Sequence, residues 1–277
     1  MSPACQDVSD GPRTASWQAL LRQAITTPGF IHEAYHRFHQ YSLRNQLLAM
    51  AQCAERGINP GPVATFKQWE ALGRHVLRGQ KALLLCVPVT TKKAERKDDD
   101  LDDAVPTEER VFFTFRARLF VLSQTDGDPY EPVSVPAWSE ERARTALGIG
   151  IMPFDHLDGN VQGYATPQGD IAINPVAALP HKTLFHEVAH VLLQHAKDET
   201  ISRSLREVEA EGVALLCCEA LDLDGAEYAR GYLQHWLRND EIPEQSAQRI
   251  ITTAQRILAA GCYPGAESQG MPNGAFR

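Results

Sequence analysis

The sequence predicts an α+β fold in which a basic N-terminal half of helices and strands precedes a mostly helical second half with a β-hairpin. Two runs rich in strand-forming residues, 82–88 and 111–122, lie in the first half. Amphipathic helical patterns dominate the second half. The charge divides along the same line, because residues 14–97 carry 12 Lys or Arg against 4 Glu, whereas residues 126–277 carry 11 against 22 acidic residues.

The first half is expected to begin with helices. A short helix should follow Ser16 and end before residues 28–29, because proline and glycine interrupt helices. Residues 30–56 predict one long amphipathic helix or two abutting ones, closed by Gly57. Thr65 and Gln68 fit a capping box that starts a further short helix.

The two strand-like runs of the first half are expected to pair with each other. Residues 92–109 between them are dense in charge and predict an exposed, flexible hairpin insertion. Residues 126–136 contain three prolines and a glycine and predict an interdomain linker. We therefore expect two domains, at residues 15–125 and 137–262.

The second half predicts helices around one hairpin. A helix at 139–147 is followed by two short strands, 161–166 and 170–174, joined by a Pro-Gln-Gly turn. Helices are then expected around residues 184–195, 206–216, 227–238 and 244–260, with Pro180 near the start of the first of them.

The helix at 184–195 carries a His-Glu-x-x-His motif. His186 and His190 are four residues apart, so they share one face of the helix and can converge on a metal ion. Glu187 lies about 100° further round the axis, at the rim of that face, where it can act on a water rather than bind the metal. Apolar neighbours indicate that this helix is packed in a core, which is where ligands are held firmly.

A downstream carboxylate would complete the site. Glu207 and Glu211 are also four apart on the next helix, and we assign Glu207 as the third metal ligand and Glu211 as a hydrogen-bond acceptor that orients a ligand histidine. The reverse assignment and a simple solvated face remain open, and Glu209 is expected to be solvated on the opposite side. Two histidines and one carboxylate are typical of a catalytic zinc site, so Zn²⁺ is the expected ion, with Mn²⁺ or another divalent ion as alternatives.

Such a site supports metal-assisted hydrolysis of a peptide. Zinc lowers the pKa of a water, Glu187 takes the proton, and the hydroxide attacks a carbonyl. The hairpin at 161–174 is expected to offer an edge strand to an extended peptide. The oxyanion-stabilising group is left open among four residues: His156, Tyr164, His195 and Tyr228.

Composition excludes several classes of protein. The six cysteines show no Cys-x-x-Cys pairing, which argues against a zinc ribbon or a disulfide framework. No apolar run is long enough to cross a bilayer, and the N-terminus has no signal-peptide pattern, so a soluble cytoplasmic protein without a membrane partner is expected. The net charge of −8 disfavours a nucleic-acid partner only on average, because the first half is basic.

Basic, aromatic and amide side chains concentrate in the first half, around Arg37, Tyr41, Arg44 and Asn45. One interpretation is an exposed polar helix face beside a core tyrosine. The other is a nucleic-acid surface, in which cations neutralise phosphates and aromatic rings stack on bases.

Several short blocks resemble the ArdC-type antirestriction proteins of plasmids and other mobile elements. The blocks occur in the order found in that family, and they are 41–48 (YSLRNQLL), 65–69 (TFKQW), 72–81 (LGRHVLRGQK), the HExxH motif, 207–211 (EVEAE) and 232–237 (YLQHWL). The first block is a variant form, and residues 92–109 match nothing in the family.

The resemblance implies an N-terminal domain that binds single-stranded DNA and a C-terminal zincin-like metallopeptidase domain. It implies metal ligands at His186, His190 and Glu207, with Glu187 as the catalytic carboxylate. It also favours the nucleic-acid interpretation of the first half, for which the candidate DNA-binding residues are Arg37, Tyr41, Arg44, Asn45, Lys67, Trp69, Arg74, Arg78 and Lys81.

The expected function is thus that of an antirestriction protein that binds single-stranded DNA and carries a metallopeptidase-like site. The alternative is a protein that protects DNA by coating it, with a metal site that is structural or catalytically silent.

Overall fold

A computed structural model describes residues 16–91, 110–156, 160–198 and 200–262. The chain begins with three helices: α1 (Trp17–Thr26), α2 (Phe30–Phe38) and α3 (Leu43–Arg56). The stretch predicted as one long helix or two is therefore two, because the chain turns at residues 39–42 and Ser42 caps α3 through its side chain. Gly57 ends α3 in the left-handed conformation that glycine adopts without steric cost.

A small sheet follows the helices. Strand β1 (Val63–Thr65) leads into helix α4 (Phe66–Ala71) and strand β2 (Arg74–Val76), and then into the long strands β3 (Leu83–Thr91) and β4 (Arg110–Val121). The predicted capping box at Thr65 is present, and β3 pairs antiparallel with β4 as expected. Strand order is β1-β4-β3. The insertion predicted at 92–109 lies outside the described residues.

The predicted linker is partly wrong. Residues 126 and 127 belong to strand β5 (Thr125–Gly127), which pairs antiparallel with β2. The prolines that follow cannot donate a ladder hydrogen bond, and no strand or helix is assigned over residues 128–139.

The second half has the predicted elements. Helix α5 (Glu140–Leu147) precedes the hairpin of β6 (Gly163–Ala165) and β7 (Ile171–Ile173), and α6 (Pro180–Leu192) carries the HExxH motif. Helices α7 (Arg203–Ala220), α8 (Ala226–Trp236) and α9 (Glu244–Gly261) complete the fold. Gly212 allows α9 to approach α7 closely, because a Cβ atom there would lie 2.9 Å from the Ile250 side chain.

The main hydrophobic core joins the two halves. It contains residues of α1, α2 and α3, among them Leu20, Ile31 and Leu47, together with Phe185 of α6 and Leu215 of α7. A smaller core lies between α3 and the sheet. Because the first three helices share a core with the second half, the two predicted domains are not separate hydrophobic units, and their boundaries stay a prediction.

Side-chain amides fasten α3 to the sheet. Asn45 accepts from the backbone N–H of Cys86 at 2.9 Å and donates to its carbonyl at 3.0 Å. Gln52 bonds the backbone of Leu84 in the same two-way manner, at 2.8 and 2.9 Å. These bonds provide partners for backbone N–H and C=O groups on the outer edge of β3, which would otherwise be unpaired.

Across the described ranges, no helix combines the length and apolar character that spanning a bilayer requires.

Candidate metal centre and nucleic-acid surface

Helix α6 presents its two motif histidines to a cleft. Pro180 occupies the first turn, where its missing N–H costs no hydrogen bond. The buried face of the helix includes Phe185 and Val188, which fix its rotation against the core. The Nε2 atoms of His186 and His190 consequently lie 3.0 Å apart and face the same point.

Helix α7 brings a carboxylate to that point. Glu207 Oε2 lies 3.4 Å from His186 Nε2 and 3.8 Å from His190 Nε2. Two ligand atoms at the usual zinc distance and a tetrahedral angle are about 3.4 Å apart. The three atoms therefore form a triangle of the size that one divalent ion requires, and these three side chains could hold a metal.

Glu211 is held elsewhere. Its Oε1 atom is 2.5 Å from Lys182 Nζ and 3.6 Å from His186 Nδ1, which is beyond hydrogen-bond distance. Of the two glutamates considered from the sequence, the structure brings Glu207 to both histidine Nε2 atoms. Glu211 lies behind His186, on the side where the sequence analysis expected an orienting acceptor.

The pKa values of two carboxyl groups in the site are shifted in opposite directions. The neighbouring imidazoles of His186 and His190 hold the pKa of Glu207 well below its usual range, so its carboxylate is charged. Burial raises the pKa of Glu187, against the opposing effect of the two histidines. The motif carboxylate is thus a stronger base than an exposed glutamate, whereas Glu207 is a weaker one.

The cleft beside these groups has a volume of about 1240 Å³. Its walls are α6, the start of α7 and the hairpin strand β6, and the side chains of His186, Glu187, His190 and Glu207 line it. Gly163 of β6 packs directly on α6, because a Cβ atom there would lie 2.7 Å from the Thr183 side chain and 3.2 Å from Glu187 Cγ. Strand β6 therefore borders the HExxH motif.

Among the described residues, no strand pairs with the outer edge of β6. Thr166 donates to the Asp170 carbonyl, and Gln162 accepts from the Asn174 N–H, each at 2.8 Å. In the antiparallel register, these bonds place Gly163 and Ala165 at the positions whose N–H and C=O groups point away from β7.

The expectation for Glu209 is wrong. Glu209 is completely buried, with an exposed fraction of 0%. Its carboxylate bonds His195 Nε2 at 2.9 Å and forms an ion pair with Arg249 Nε at 3.1 Å. Helical spacing placed Glu209 away from the metal, but α9 covers that side of α7, and a buried charge is retained because Arg249 compensates it.

The four oxyanion candidates lie in different places. His195 is buried behind His190 and bonds it, while Tyr164 donates to Asp155 at 2.6 Å. His156 packs edge-on against the Tyr164 ring, and Tyr228 is 71% exposed on α8.

Tyr232 lies in the block 232–237 but was not among the predicted site residues. Burial and the charges of Glu207 and Glu211 raise the pKa of its phenol.

Several predicted DNA-binding side chains are engaged within the fold. Trp69 is 1% exposed and donates to the Phe120 carbonyl at 2.9 Å, so it cannot stack on a base in this conformation. Arg44 lies 4.0 Å above the Trp17 ring, and Asn45 bonds β3. Contacts within the fold thus hold these three side chains, and their role in DNA binding stays a prediction.

Other candidates reach the surface. Arg37 is exposed and pairs with Glu33 at 3.1 Å, Tyr41 is half-buried, and Arg74 donates to the Thr125 hydroxyl and carbonyl and to the carbonyls of residues 127 and 128. Lys67, Arg78 and Lys81 are exposed. Residues 66–81 also expose three large apolar side chains that were not predicted as site residues: Phe66 (47%), Leu72 (47%) and Leu77 (43%).

The chain is similar to several known proteins. Residues 10–120 match the family model of the N-terminal domain of anti-restriction factor ArdC. The chain is 28% identical over 255 residues to an uncharacterized protein of Sinorhizobium fredii, with 83% of this chain and 78% of that protein covered. It is 22% identical over 271 residues to an uncharacterized protein of Bacillus anthracis, with 80% of this chain covered. Only 45% of the latter protein is covered, so the chain spans less than half its length.

Two solved structures of the antirestriction protein ArdC from the R388 plasmid have a similar fold. The metal-free structure gives a TM-score of 0.52 at 21% identity, covering 88% of this chain and 94% of ArdC. The Mn(II)-bound structure gives 0.53 at 18% identity, covering 88% and 96%. The chain thus matches the ArdC family model in its N-terminal region and has a fold similar to that of ArdC over most of its length.

Proposed function

We propose that this protein is an antirestriction factor that binds single-stranded DNA through its N-terminal half and hydrolyses a peptide at a zinc site in its C-terminal half. The observation that carries the enzymatic part is the convergence of His186 Nε2, His190 Nε2 and Glu207 Oε2 within 3.8 Å of one another. The antirestriction role follows from the ArdC family model, and the divalent ion from the Mn(II)-bound relative.

The donor set fits zinc. Two imidazole nitrogens and one carboxylate oxygen are ligands of catalytic zinc sites, which keep a fourth position for water or substrate. The three side chains line an open cleft, so that position would face the cleft. A bound zinc ion would supply Lewis acidity to a carbonyl oxygen and lower the pKa of a water.

Glu187 is the proposed general base. It lines the cleft beside both histidines and is 8% exposed. Because burial raises the pKa of Glu187, its carboxylate accepts the proton of the attacking water more readily than an exposed glutamate would.

Strand β6 is the proposed binding edge for the peptide. Its outward-pointing backbone groups at Gly163 and Ala165 can pair with an extended chain, which would lie along the cleft past His186 and Glu187.

The substitution Glu187→Gln tests the hydrolysis. It removes the base while retaining the size of the side chain, and general-base catalysis typically contributes about 10²–10⁴-fold. We expect cleavage of a casein or peptide-library substrate by the zinc-loaded protein to fall by at least that factor. Zinc binding, measured by calorimetry, should be unchanged. Equal cleavage by both proteins would contradict the role of Glu187.

The same variant separates two functions. If Glu187→Gln protects incoming DNA from restriction as well as the wild type does, protection works by coating DNA and does not need hydrolysis. If protection is lost while DNA binding remains, hydrolysis is required. The control is Arg256→Ala, because Arg256 is exposed on α9 and does not line the cleft.

The DNA-binding surface is proposed on the segment 66–81. This segment exposes the cations Lys67, Arg78 and Lys81 and the ring of Phe66, and such side chains can neutralise phosphates and stack on bases. The triple variant Lys67→Ala/Arg78→Ala/Lys81→Ala should reduce the slope of log affinity against log salt for oligo-dT by about 2, because each single-strand phosphate contact contributes about 0.7.

Phe66→Ala should instead weaken oligo-dT binding at every salt concentration by about 1–3 kcal/mol, since base stacking does not depend on counterions. An unchanged salt slope in the triple variant would remove this surface from the proposal.

A further inference from the structure

A network of buried side chains runs from the metal site into the core, and its first member is His195. The polypeptide bends sharply after α6 at Gln194, whose φ of 57° is in the left-handed region that L-residues rarely adopt. This bend folds His195 back beside the ligand His190. His195 Nδ1 then lies 2.8 Å from His190 Nδ1, and the His195 side chain is 3% exposed.

The second nitrogen of His195 reaches a carboxylate. His195 Nε2 is 2.9 Å from Glu209 Oε2, which in turn is 3.1 Å from Arg249 Nε. Arg249 also donates to the Leu193 carbonyl at 3.1 Å and pairs with Asp198 at 3.1 Å. Glu209 lies on α7, Arg249 lies on α9, and His195 lies in the turn after α6, so these three parts of the fold meet here.

The hydrogen-bonding chemistry determines where each proton lies. A carboxylate only accepts, so His195 Nε2 carries a hydrogen and donates it to Glu209. A neutral imidazole that carries its hydrogen on Nε2 has a lone pair on Nδ1, so His195 Nδ1 can accept a hydrogen bond. The 2.8 Å contact between the two Nδ1 atoms then has His190 Nδ1–H as its donor.

This tautomer determines which nitrogen of His190 is free to bind a metal. With its hydrogen on Nδ1, His190 has a free lone pair on Nε2, the atom that faces His186 and Glu207. His186 has no comparable network, since its Nδ1 is buried and has no partner at hydrogen-bond distance among the described residues.

We propose that His195 and Glu209 are positioning residues that hold His190 in the tautomer and orientation needed to bind the ion, with Arg249 compensating the buried charge. The proposal rests on the metal site of the proposed function. It extends that site to a side chain, Glu209, whose position in the sequence suggests only a solvated helix face.

The test measures the tautomer and the zinc affinity separately. Long-range ¹H–¹⁵N spectra of the metal-free protein should show His190 protonated at Nδ1 and His195 at Nε2. His195→Phe removes both hydrogen bonds at similar volume. In that variant the His190 preference for Nδ1–H should be lost, and the zinc dissociation constant should rise about 10–100-fold, the usual effect of losing such a partner.

Glu209→Gln is the conservative control. Its amide oxygen can still accept from His195 Nε2, so the His190 tautomer should persist and zinc affinity should fall less than in His195→Phe. If His195→Phe does not fold, Glu209→Gln and Glu209→Leu are compared in the same two measurements, and only the leucine variant should lose the tautomer.

Two results would overturn the proposal: a wild-type His190 protonated at Nε2 in the metal-free protein, or a folded His195→Phe that binds zinc as tightly as the wild type. If instead the wild type binds no zinc, the proposed function fails, whereas the tautomer spectra still decide the positioning role.

Discussion

The buried pair Glu219–Arg230 should hold the first helices onto the second half. Arg230 of α8 is 5% exposed and donates to the carbonyls of Ala24 and Ile25 at the end of α1, each at 2.7 Å. Glu219 of α7 contacts the Arg230 guanidinium and accepts from the Ile31 N–H at the start of α2, at 3.2 Å. One ion pair thus satisfies backbone groups at both ends of the α1–α2 turn.

Arg230→Met is the perturbation that tests this arrangement. Methionine keeps most of the volume but leaves the buried Glu219 charge without its counter-ion and removes the hydrogen bonds from Arg230 to the Ala24 and Ile25 carbonyls. Removing one member of a buried pair typically destabilises by about 3–5 kcal/mol, so the free energy of unfolding should fall by that amount. For a protein of marginal stability this is a large fraction of the total.

The assay is urea unfolding followed by tryptophan fluorescence and circular dichroism. Arg256→Ala, an exposed arginine on α9, should change the free energy of unfolding by no more than about 0.5 kcal/mol. The double variant Glu219→Met/Arg230→Met should be less destabilised than the sum of the single variants, because no unpaired charge remains. A loss below about 1 kcal/mol in Arg230→Met, or strict additivity in the cycle, would refute the reasoning.

Three further outcomes are expected. Gly163→Ala should separate β6 from α6, since its methyl would lie 2.7 Å from the Thr183 side chain; overpacking costs about 1–3 kcal/mol of stability, and unfolding and peptide cleavage should both report the loss. Burial, and secondarily Tyr130, raises the pKa of Tyr41 to about 12, so folding stability present below pH 10 should decline as pH rises from about 10 to 12; ¹³C-tyrosine spectra identify the residue, and the decline should be smaller in Tyr41→Phe, where only groups such as Tyr35, whose pKa burial also raises, contribute to it. Zinc at 100 times its dissociation constant should stabilise the folded protein by about 2.7 kcal/mol, and EDTA should reverse the gain in thermal unfolding.

Local signals in the sequence were sufficient for most elements. The capping box at Thr65 and the left-handed Gly57 each depend on a few neighbouring residues, so the helix ends they mark were predicted. The HExxH spacing also acts within one helix, and His186 and His190 converge as expected.

Long-range packing explains what the sequence did not reveal. Glu209 is buried because Arg249, 40 residues later in the chain, and His195, 14 residues earlier, both meet its carboxylate. Trp69 is buried, and its indole donates to a carbonyl 51 residues away. None of these partners can be identified from helical or strand periodicity, since periodicity gives the face of an element but not what covers it.

The shared core is the other feature that sequence patterns could not show. The proline-containing segment 126–136 suggested two separate units, yet α1 and α2 pack against α7, α8 and α9. Composition reports where a chain is irregular, whereas the placement of helices depends on which apolar faces fit together.

The most direct test of the metal centre is a crystal structure of the zinc-loaded protein with anomalous diffraction data collected at the zinc edge. We expect one strong peak about 2.0–2.2 Å from His186 Nε2, His190 Nε2 and a Glu207 carboxylate oxygen, with the fourth position facing the cleft. An ion bound by Glu211 with Glu207 turned away, or the absence of any peak between the two histidines, would contradict the account.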